Sequence, residues 1–488
     1  MAGIGFHLQE LFKKDYYSSR MKAYSVAGLT TAGPWIVMTI TMGILQWIIN
    51  QFSSITTEER EIFIFSVSYC FIFSQLIFST QQYTATRYLS DLLYSKKEEN
   101  VFPLFLGVTK VISVLALLLW IVFYAISPLP FLYKLILLFL FLTTNLIWII
   151  LLFLSATKNF KSIAWAFLIG GVTSVLATLL ICLNENLLTA NVSFSLVLLS
   201  AFTFGMILTL FLLMLTLLKT FPECSSKGQF DYLSYFERFP SLFFIGVFYN
   251  LGIWACNWVI WFGEGAKIVA GSFIVHPIYD MALFWSYLTI LPTMVLIVIS
   301  IETRFYRKYK LFFNYVNKGG TLAQIRTAKK KMFNVLFQEI QKVLRSQLII
   351  TLIVVMTAGP IFRMLSFDEK FIHIFRITAF GAFANGMLLV ILLVLLYFED
   401  RKGALYSSFV FFSLNLAGTV ILLPGGYQYY GLSFAFGAIV SFVFAIVRLL
   451  YYLNSIEYHA FCGQGIHIKT TLNRFHRFGK WLEKNQFI

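Results

Sequence analysis

Along most of the chain, apolar residues run in long blocks separated by short polar stretches that hold nearly all of the charge. A bilayer core is about 30 Å thick, so about 20 apolar residues in helix cross it with every backbone polar group satisfied inside the segment. At that length the pattern predicts spans near 23–50, 61–84, 101–126, 130–155, 161–183, 193–218, 239–262, 272–300, 345–366, 371–397, 404–424 and 429–453. The expected fold class is an all-α integral membrane protein with about 12 transmembrane helices.

Three segments break the block pattern. Residues 301–345 carry eleven Lys and Arg against two Glu. After Gly319-Gly320 and an N-cap residue at Thr321, the side chains Leu322, Ile325, Met332, Phe333, Leu336, Phe337, Ile340 and Leu344 recur at helical spacing. This predicts an amphipathic helix, held to anionic lipid headgroups at the interface or docking a cytoplasmic partner through Arg326, Lys329, Lys330 and Lys331. The carboxyl tail, with Leu472, Phe475, Trp481 and Leu482 among Arg474, Arg477, Lys480 and Lys484, reads the same way. At the amino end, Leu8, Leu11 and Phe12 face away from Gln9, Lys13 and Lys14, so residues 1–22 predict a short interfacial amphipathic segment. Gln9, Glu10, Lys13 and Lys14 interrupt any signal-peptide core, and Ala2 stands where myristoylation needs Gly, so this segment is expected to stay on the protein.

Composition narrows the class. Of 488 residues, 59% are hydrophobic, 18% aromatic and only 12% charged, whereas soluble domains run near 25% charged. The net charge of +16 sits in short loops, where it orients spans instead of gathering nucleic acid, so no nucleic-acid partner is expected. The amino end, the loops near 85–100, 156–161, 219–238, 301–345 and 398–403, and the tail hold about thirty of the 38 Lys and Arg. The alternate loops hold Arg60, Lys134, Lys267 and Lys370, so both termini are expected to be cytoplasmic. Cys70, Cys182, Cys224, Cys256 and Cys462 form no CxxC pair, and no carboxylate joins His459, Cys462 and His467, so no disulfide framework and no metal are expected.

The two halves share marks in one register. "TATRYLSDLLY" closes span 2 and "ETRFYRKYKLF" closes span 8, each after a glycine-rich, Trp-bearing helix, "AGLTTAGPWIV" and "YNLGIWACNWV". Gly33 to Arg87 is 54 positions and Gly252 to Arg304 is 52. A duplication of six spans predicts two pseudo-symmetric bundles, 23–219 and 239–453, joined by a cytoplasmic linker 220–238 and followed by a basic tail 454–488. Parallel repeats of this kind build transporters whose pathway runs between the halves.

Ionisable residues inside spans are costly and usually face a cavity or pair with each other. Asp280, beside His276 and Pro277 in span 8, Arg376 in span 10 and Arg363 near the end of span 9 are therefore candidates for the outer half of a pathway, with Asp280 and one arginine expected to pair. Gly33, Pro34, Pro277 and Pro292 are hinge candidates, because proline removes a helix hydrogen bond. No P-loop and no catalytic constellation is present, and the acidic pairs Glu98-Glu99 and Glu399-Asp400 are flanked by Lys or Arg as in solvated loops. Neither enzyme activity nor a cofactor is expected.

In order along the chain, "MAGIGFHLQELF", "AGLTTAGPWIV", "TATRYLSDLLY", "YNLGIW", "PIYDMALFWSYLTILP", "IETRFYRKY" and "YFEDRKGAL" closely resemble the PelG family, the membrane transporter of bacterial Pel exopolysaccharide systems. That family looks like a branch of the multidrug/oligosaccharidyl-lipid/polysaccharide exporter superfamily, which implies two six-helix bundles. The resemblance implies export of a hexosamine-rich polymer across the inner membrane, in a complex with a cytoplasmic glycosyltransferase, a cyclic di-GMP-binding membrane protein and a scaffold protein. Arg87, Asp91, Tyr279, Asp280, Glu302, Arg304 and Arg401 fall within the matching strings. Arg87, Asp91, Glu302, Arg304 and Arg401 stand at the cytoplasmic side as gate or interface candidates, and Tyr279 joins Asp280 and His276 as a pathway candidate. The chain departs from the family in span 7, where Cys256-Asn257 replaces the Asp-Lys often found there.

Polymer export is the first reading. An ion-coupled flippase or drug exporter of the same superfamily is the second, for which Asp280 is the one good carboxylate. A third is a membrane scaffold that recruits a polysaccharide synthase through its basic loop.

Overall fold

The computed structural model describes residues 28, 33–52, 55–157, 160–183, 193–221, 228–461 and 474–484. Among these, 12 helices are long and apolar enough to cross a membrane. Their principal segments are α1 (Gly33–Gln51), α2 (Thr57–Tyr94), α3 (Val101–Ile126), α4 (Phe131–Thr157), α5 (Phe160–Leu183), α6 (Phe194–Thr220), α7 (Pro240–Ile260), α8 (Pro277–Leu288), α9 (Leu322–Met364), α10 (Glu369–Tyr397), α11 (Arg401–Leu422) and α12 (Leu432–Asn454). The expected interfacial segment 1–22 lies outside the described residues.

Contacts group the described chain into two compact units. One holds Gly33–Trp254 with Ala266–Val275 and the helix Arg474–Lys484; the other holds 255–265 and 276–461. The chain passes from one to the other within α7, after Trp254.

In the first unit, α5 and α6 approach through small residues. A Cβ built on Gly170 would meet the Gly205 carbonyl oxygen at 2.5 Å, and one built on Gly205 would meet the Gly170 carbonyl oxygen at the same distance. Ser174 and Thr209, one turn further along each helix, complete a small-residue seam of the kind that lets membrane helices close without a hydrophobic driving force. Gly170→Ala should destabilise the unit by about 1–3 kcal/mol, the usual cost of overpacking. A thermal unfolding midpoint in detergent unchanged from the parent would contradict the close approach.

Between α7 and α8 the chain forms a hairpin where the apolar pattern predicts the start of span 8. Strand β1 (Lys267–Val269) pairs antiparallel with β2 (Phe273–Val275), Ile268 opposite Ile274. Ala270 and Gly271, both at positive φ (48° and 58°), form the turn that suits a twisted hairpin. The Tyr69 hydroxyl clamps β2 from α2, donating to the Ile274 carbonyl (2.6 Å) and accepting from its N–H (2.9 Å). A residue before proline avoids the helical region, which keeps His276 extended and starts α8 at Pro277. Proline in a first turn costs no hydrogen bond, so Pro277 starts the helix and does not bend it, contrary to the hinge expected there. Pro292 does coincide with a break. Span 8 stops at Leu288 and resumes as Leu291–Ile299, and the Thr289 carbonyl accepts from the Gln347 amide of α9 at 2.9 Å. Gly33-Pro34 opens the described part of α1.

The basic stretch 301–345 also differs from its expectation. Ser300–Phe305 forms a π-helical turn, Tyr306–Asn317 a helix, and from Leu322 one unbroken helix of 43 residues runs through span 9. Thr321 caps it reciprocally with Gln324, and neither glycine nor proline occurs from Leu322 to Ala358. The predicted amphipathic segment is therefore not a separate helix lying flat at the interface. It is the extension of α9, about 65 Å long overall against a core of about 30 Å. Its apolar face, Ile325, Ala328, Met332, Leu336 and Val343, is buried.

Candidate functional site

A dense polar cluster among the described residues surrounds Asp280, in the first turn of α8. Its carboxylate accepts from Asn257 Nδ2 (2.7 Å), from Trp261 Nε1 (3.1 Å to Oδ1, 3.0 Å to Oδ2) and from the His276 backbone N–H (3.0 Å). Asn257 and Trp261 lie four residues apart at the end of α7, so one helical turn presents both donors together. These partners are amide, indole and backbone groups, which corrects the expectation that an arginine pairs with Asp280. A negative charge held, among the described residues, by neutral dipoles suits a site where a cation or a polar substrate group completes the shell.

His276 is fully buried and works at both ring nitrogens. Nδ1 accepts from the Tyr279 N–H at 3.0 Å, capping α8, so Nε2 carries the proton and donates to the Glu264 carbonyl at 2.9 Å. Tyr279, Tyr427 and Tyr430 pack edge-on around this ring, with centroids 5.2 to 6.3 Å away. The Tyr430 hydroxyl donates to the same carbonyl at 3.1 Å. Glu264 and Gly265 pack against the 423–428 turn: a Cβ on Gly265 would meet the Tyr427 hydroxyl and one on Gly426 the Glu264 carboxylate, and both glycines take positive φ (88° and 62°). Lys370 lies 4.1 Å above the Tyr427 ring. An aromatic wall with a neutral, fully engaged histidine beside a carboxylate is chemistry suited to a sugar or an organic cation.

The other pathway candidates stand apart from this cluster. Arg363 pairs with Glu369 at 2.6 Å, both largely exposed. Arg376 is exposed, its guanidinium against Gly359 of α9.

At the far end of α2, Arg87 and Asp91 pair at 3.5 Å. The Tyr235 hydroxyl donates to Asp91 at 2.8 Å, Tyr88 meets Tyr235 edge-on at 4.9 Å, and Arg87 lies 5.6 Å from the Phe239 ring. Burial, reinforced by the Asp91 carboxylate, pushes the Tyr235 hydroxyl up to about 12, so it stays a donor. The segment 231–238 is thereby tied to α2, and the tail helix Arg474–Lys484 docks on it through Phe475, whose N–H donates to Glu237 at 3.0 Å. In the other unit, Arg304 reaches the buried Glu339 at 2.9 Å, while the Glu302 side chain lies outside the described residues. The two Thr-Arg-aromatic strings thus each hold an arginine in an ion pair.

Two features escaped the sequence reading. Asp400 is buried, caps α11 through the Gly403 N–H (3.0 Å) and takes a two-pronged bond from Arg448 of α12 (2.7 and 3.0 Å), correcting its reading as a solvated loop residue. Arg401, the next residue, is half-buried. Asn257 escaped because a neutral residue in place of a charged pair looked like a loss of chemistry. The donor spacing Asn257–Trp261 opposite a helix-start carboxylate was the signal that was available.

A model of the PelG exopolysaccharide exporter (EPS-E) family matches residues 1–461. No curated protein matches the chain in sequence. Among solved structures, the chain is similar to a Vibrio cholerae MATE transporter (TM-score 0.57, 12% identity, 93% of this chain and 99% of that one). It is also similar to the lipid II flippase MurJ in an inward closed conformation (0.56, 14%, 88% and 90%). A third is a MOP superfamily transporter from Pyrococcus furiosus (0.56, 11%, 89% and 96%). At these identities the likeness is one of fold, and that fold is the MOP-type transporter fold.

Proposed function

The chain belongs to the PelG exopolysaccharide exporter family, and from that premise we propose that it moves a hexosamine-rich, Pel-type exopolysaccharide across the bacterial inner membrane for a biofilm matrix. The observation that carries this reading is the family match over residues 1–461. In it, both termini are cytoplasmic, a cytoplasmic glycosyltransferase extends the polymer, and a cyclic di-GMP-binding membrane protein and a scaffold protein complete the assembly. Anionic lipids neutralise the short basic loops near 85–100, 156–161 and 398–403 at the membrane surface. The part-exposed Asp280 and Tyr427 meet the sugar, the Tyr427 ring stacking on its apolar face, while the buried His276 and Tyr279 hold the start of α8 and the tyrosine wall in place. Arg87, Asp91 and Arg304 hold the cytoplasmic ends of their spans.

Deleting the gene should remove polymer from the cell surface while isolated membranes still polymerise the sugar nucleotide. Unchanged surface polymer would overturn the export reading. One observation favours a second reading, an ion-coupled flippase: among the described residues the Asp280 carboxylate has only neutral donors around it, which leaves its charge for a coupling cation.

A further inference from the structure

The extension of α9 carries a groove that faces away from its buried side. Arg326, Lys330, Phe333, Asn334 and Phe337 fall on one helical stripe, and Glu457, from the short helix Ile456–Phe461, forms the opposite wall. The groove encloses about 440 Å³. Lys329 is already engaged, paired with Glu457 at 3.1 Å and lying 5.6 Å from the Phe333 ring. Arg326 and Lys330 are exposed and make no ion pair among the described residues. Phe333 and Phe337, one turn apart, are half-buried and supply an apolar floor.

The position of this groove decides between a lipid and a protein as its occupant. The apolar part of α9 begins after Arg345, and Met364 ends the helix, which is about the length a bilayer core takes up. At about 1.5 Å per residue, Lys330 lies roughly 22 Å before Arg345 and Arg326 roughly 28 Å. A tilt of about 40° still leaves Lys330 about 17 Å from the core. The headgroup layer adds only about 6 Å per leaflet, and charges are screened over about 8 Å. Anionic headgroups therefore lie out of reach.

We propose that this groove docks an acidic, amphipathic segment of a partner protein. Its carboxylates meet Arg326 and Lys330, and its apolar side chains rest on Phe333 and Phe337. Glu457 repels a uniformly acidic strand at the end nearest Phe333, so recognition requires apolar residues there. The proposal deepens the export reading by giving the chemistry of the partner segment, and rests on that reading only for the partner's side of the membrane.

The test uses the full chain in nanodiscs of uncharged phosphatidylcholine, with a fluorescent helical peptide presenting Glu on one face and Leu on the other. Saturable binding is expected, with no binding of the same peptide carrying Lys for Glu. Arg326→Glu with Lys330→Glu should weaken it roughly tenfold or more, and Phe337→Ala should weaken it without altering its salt dependence. Should the reversed pair fold poorly, Arg326→Gln with Lys330→Gln gives the same reading by charge removal. Equal affinity for the Lys peptide, or affinity untouched by these changes in a folded chain, would overturn the proposal. So would loss, in the variants, of binding to phosphatidylglycerol vesicles with peptide binding intact, the result for a lipid surface. None of these measurements involves export, so their failure leaves the transport reading standing.

Discussion

Asp280→Ala should abolish surface polymer and sharply reduce the yield of folded chain. The carboxylate is the shared acceptor for Asn257, Trp261 and the His276 N–H. These donors sit on residues 2%, 6% and 0% exposed. A buried donor left without an acceptor costs about 1–3 kcal/mol, so the alanine variant loses several kcal/mol. Asp280→Asn separates the roles of shape and charge. It keeps one acceptor oxygen and the side-chain volume, so it should fold in part, and export per folded chain should survive if the residue positions the end of α7 against α8. Surface polymer is measured against folded protein from fluorescence-detected gel filtration. A well-folded Asp280→Asn chain that exports nothing would transfer the argument to the ion-coupled reading, because only the charge has gone.

Breaking the Asp400–Arg448 pair should have an effect of similar size on stability, with a direction that depends on which partner is removed. The Asp400 side chain is 3% exposed and that of Arg448 30%. Arg448→Ala strands a buried carboxylate, for which about 3–5 kcal/mol is expected. Asp400→Ala removes a helix cap worth about 0.5–2 kcal/mol and leaves an arginine that reaches solvent, so its cost should be smaller. The double variant should be no worse than Arg448→Ala alone, since both charges are then absent. Thermal unfolding midpoints in detergent check the order. Equal, small shifts for the two single variants would mean that the pair is as weak as an exposed one.

How much of this was legible beforehand differs by feature. The spans were readable because bilayer thickness imposes one length on every apolar block, and Thr321 was readable as a cap because Gln324 follows it at the reciprocal position. Asp280 stood out because a carboxylate among apolar residues is costly. Its partners did not, since an amide and an indole in span 7 carry no charge to mark them. Asp400 looked solvated because Arg401 and Lys402 follow it, while its true partner lies 48 positions away. Gly170 and Gly205 read as ordinary membrane glycines until their helices were placed together.

The amino-acid sequence by itself determined that this chain is a polytopic helical membrane protein, where each span lies to within several residues at most ends, and to which family of strings it is similar. All of these follow from local composition: hydropathy over a window, capping residues at fixed offsets, and motifs contiguous in the chain. Tertiary structure alone decided which donors hold Asp280, that Asp400 is a buried ion-pair partner, that a hairpin precedes α8, and that the basic amphipathic helix is one piece with span 9. The first two depend on side chains 19 to 48 positions apart meeting at about 3 Å, and helical spacing marks donors on one face without saying which distant residue they meet. The last depends on the absence of any break between Thr321 and Pro360, whereas hydropathy marks only where a helix enters the bilayer, not whether it continues beyond it.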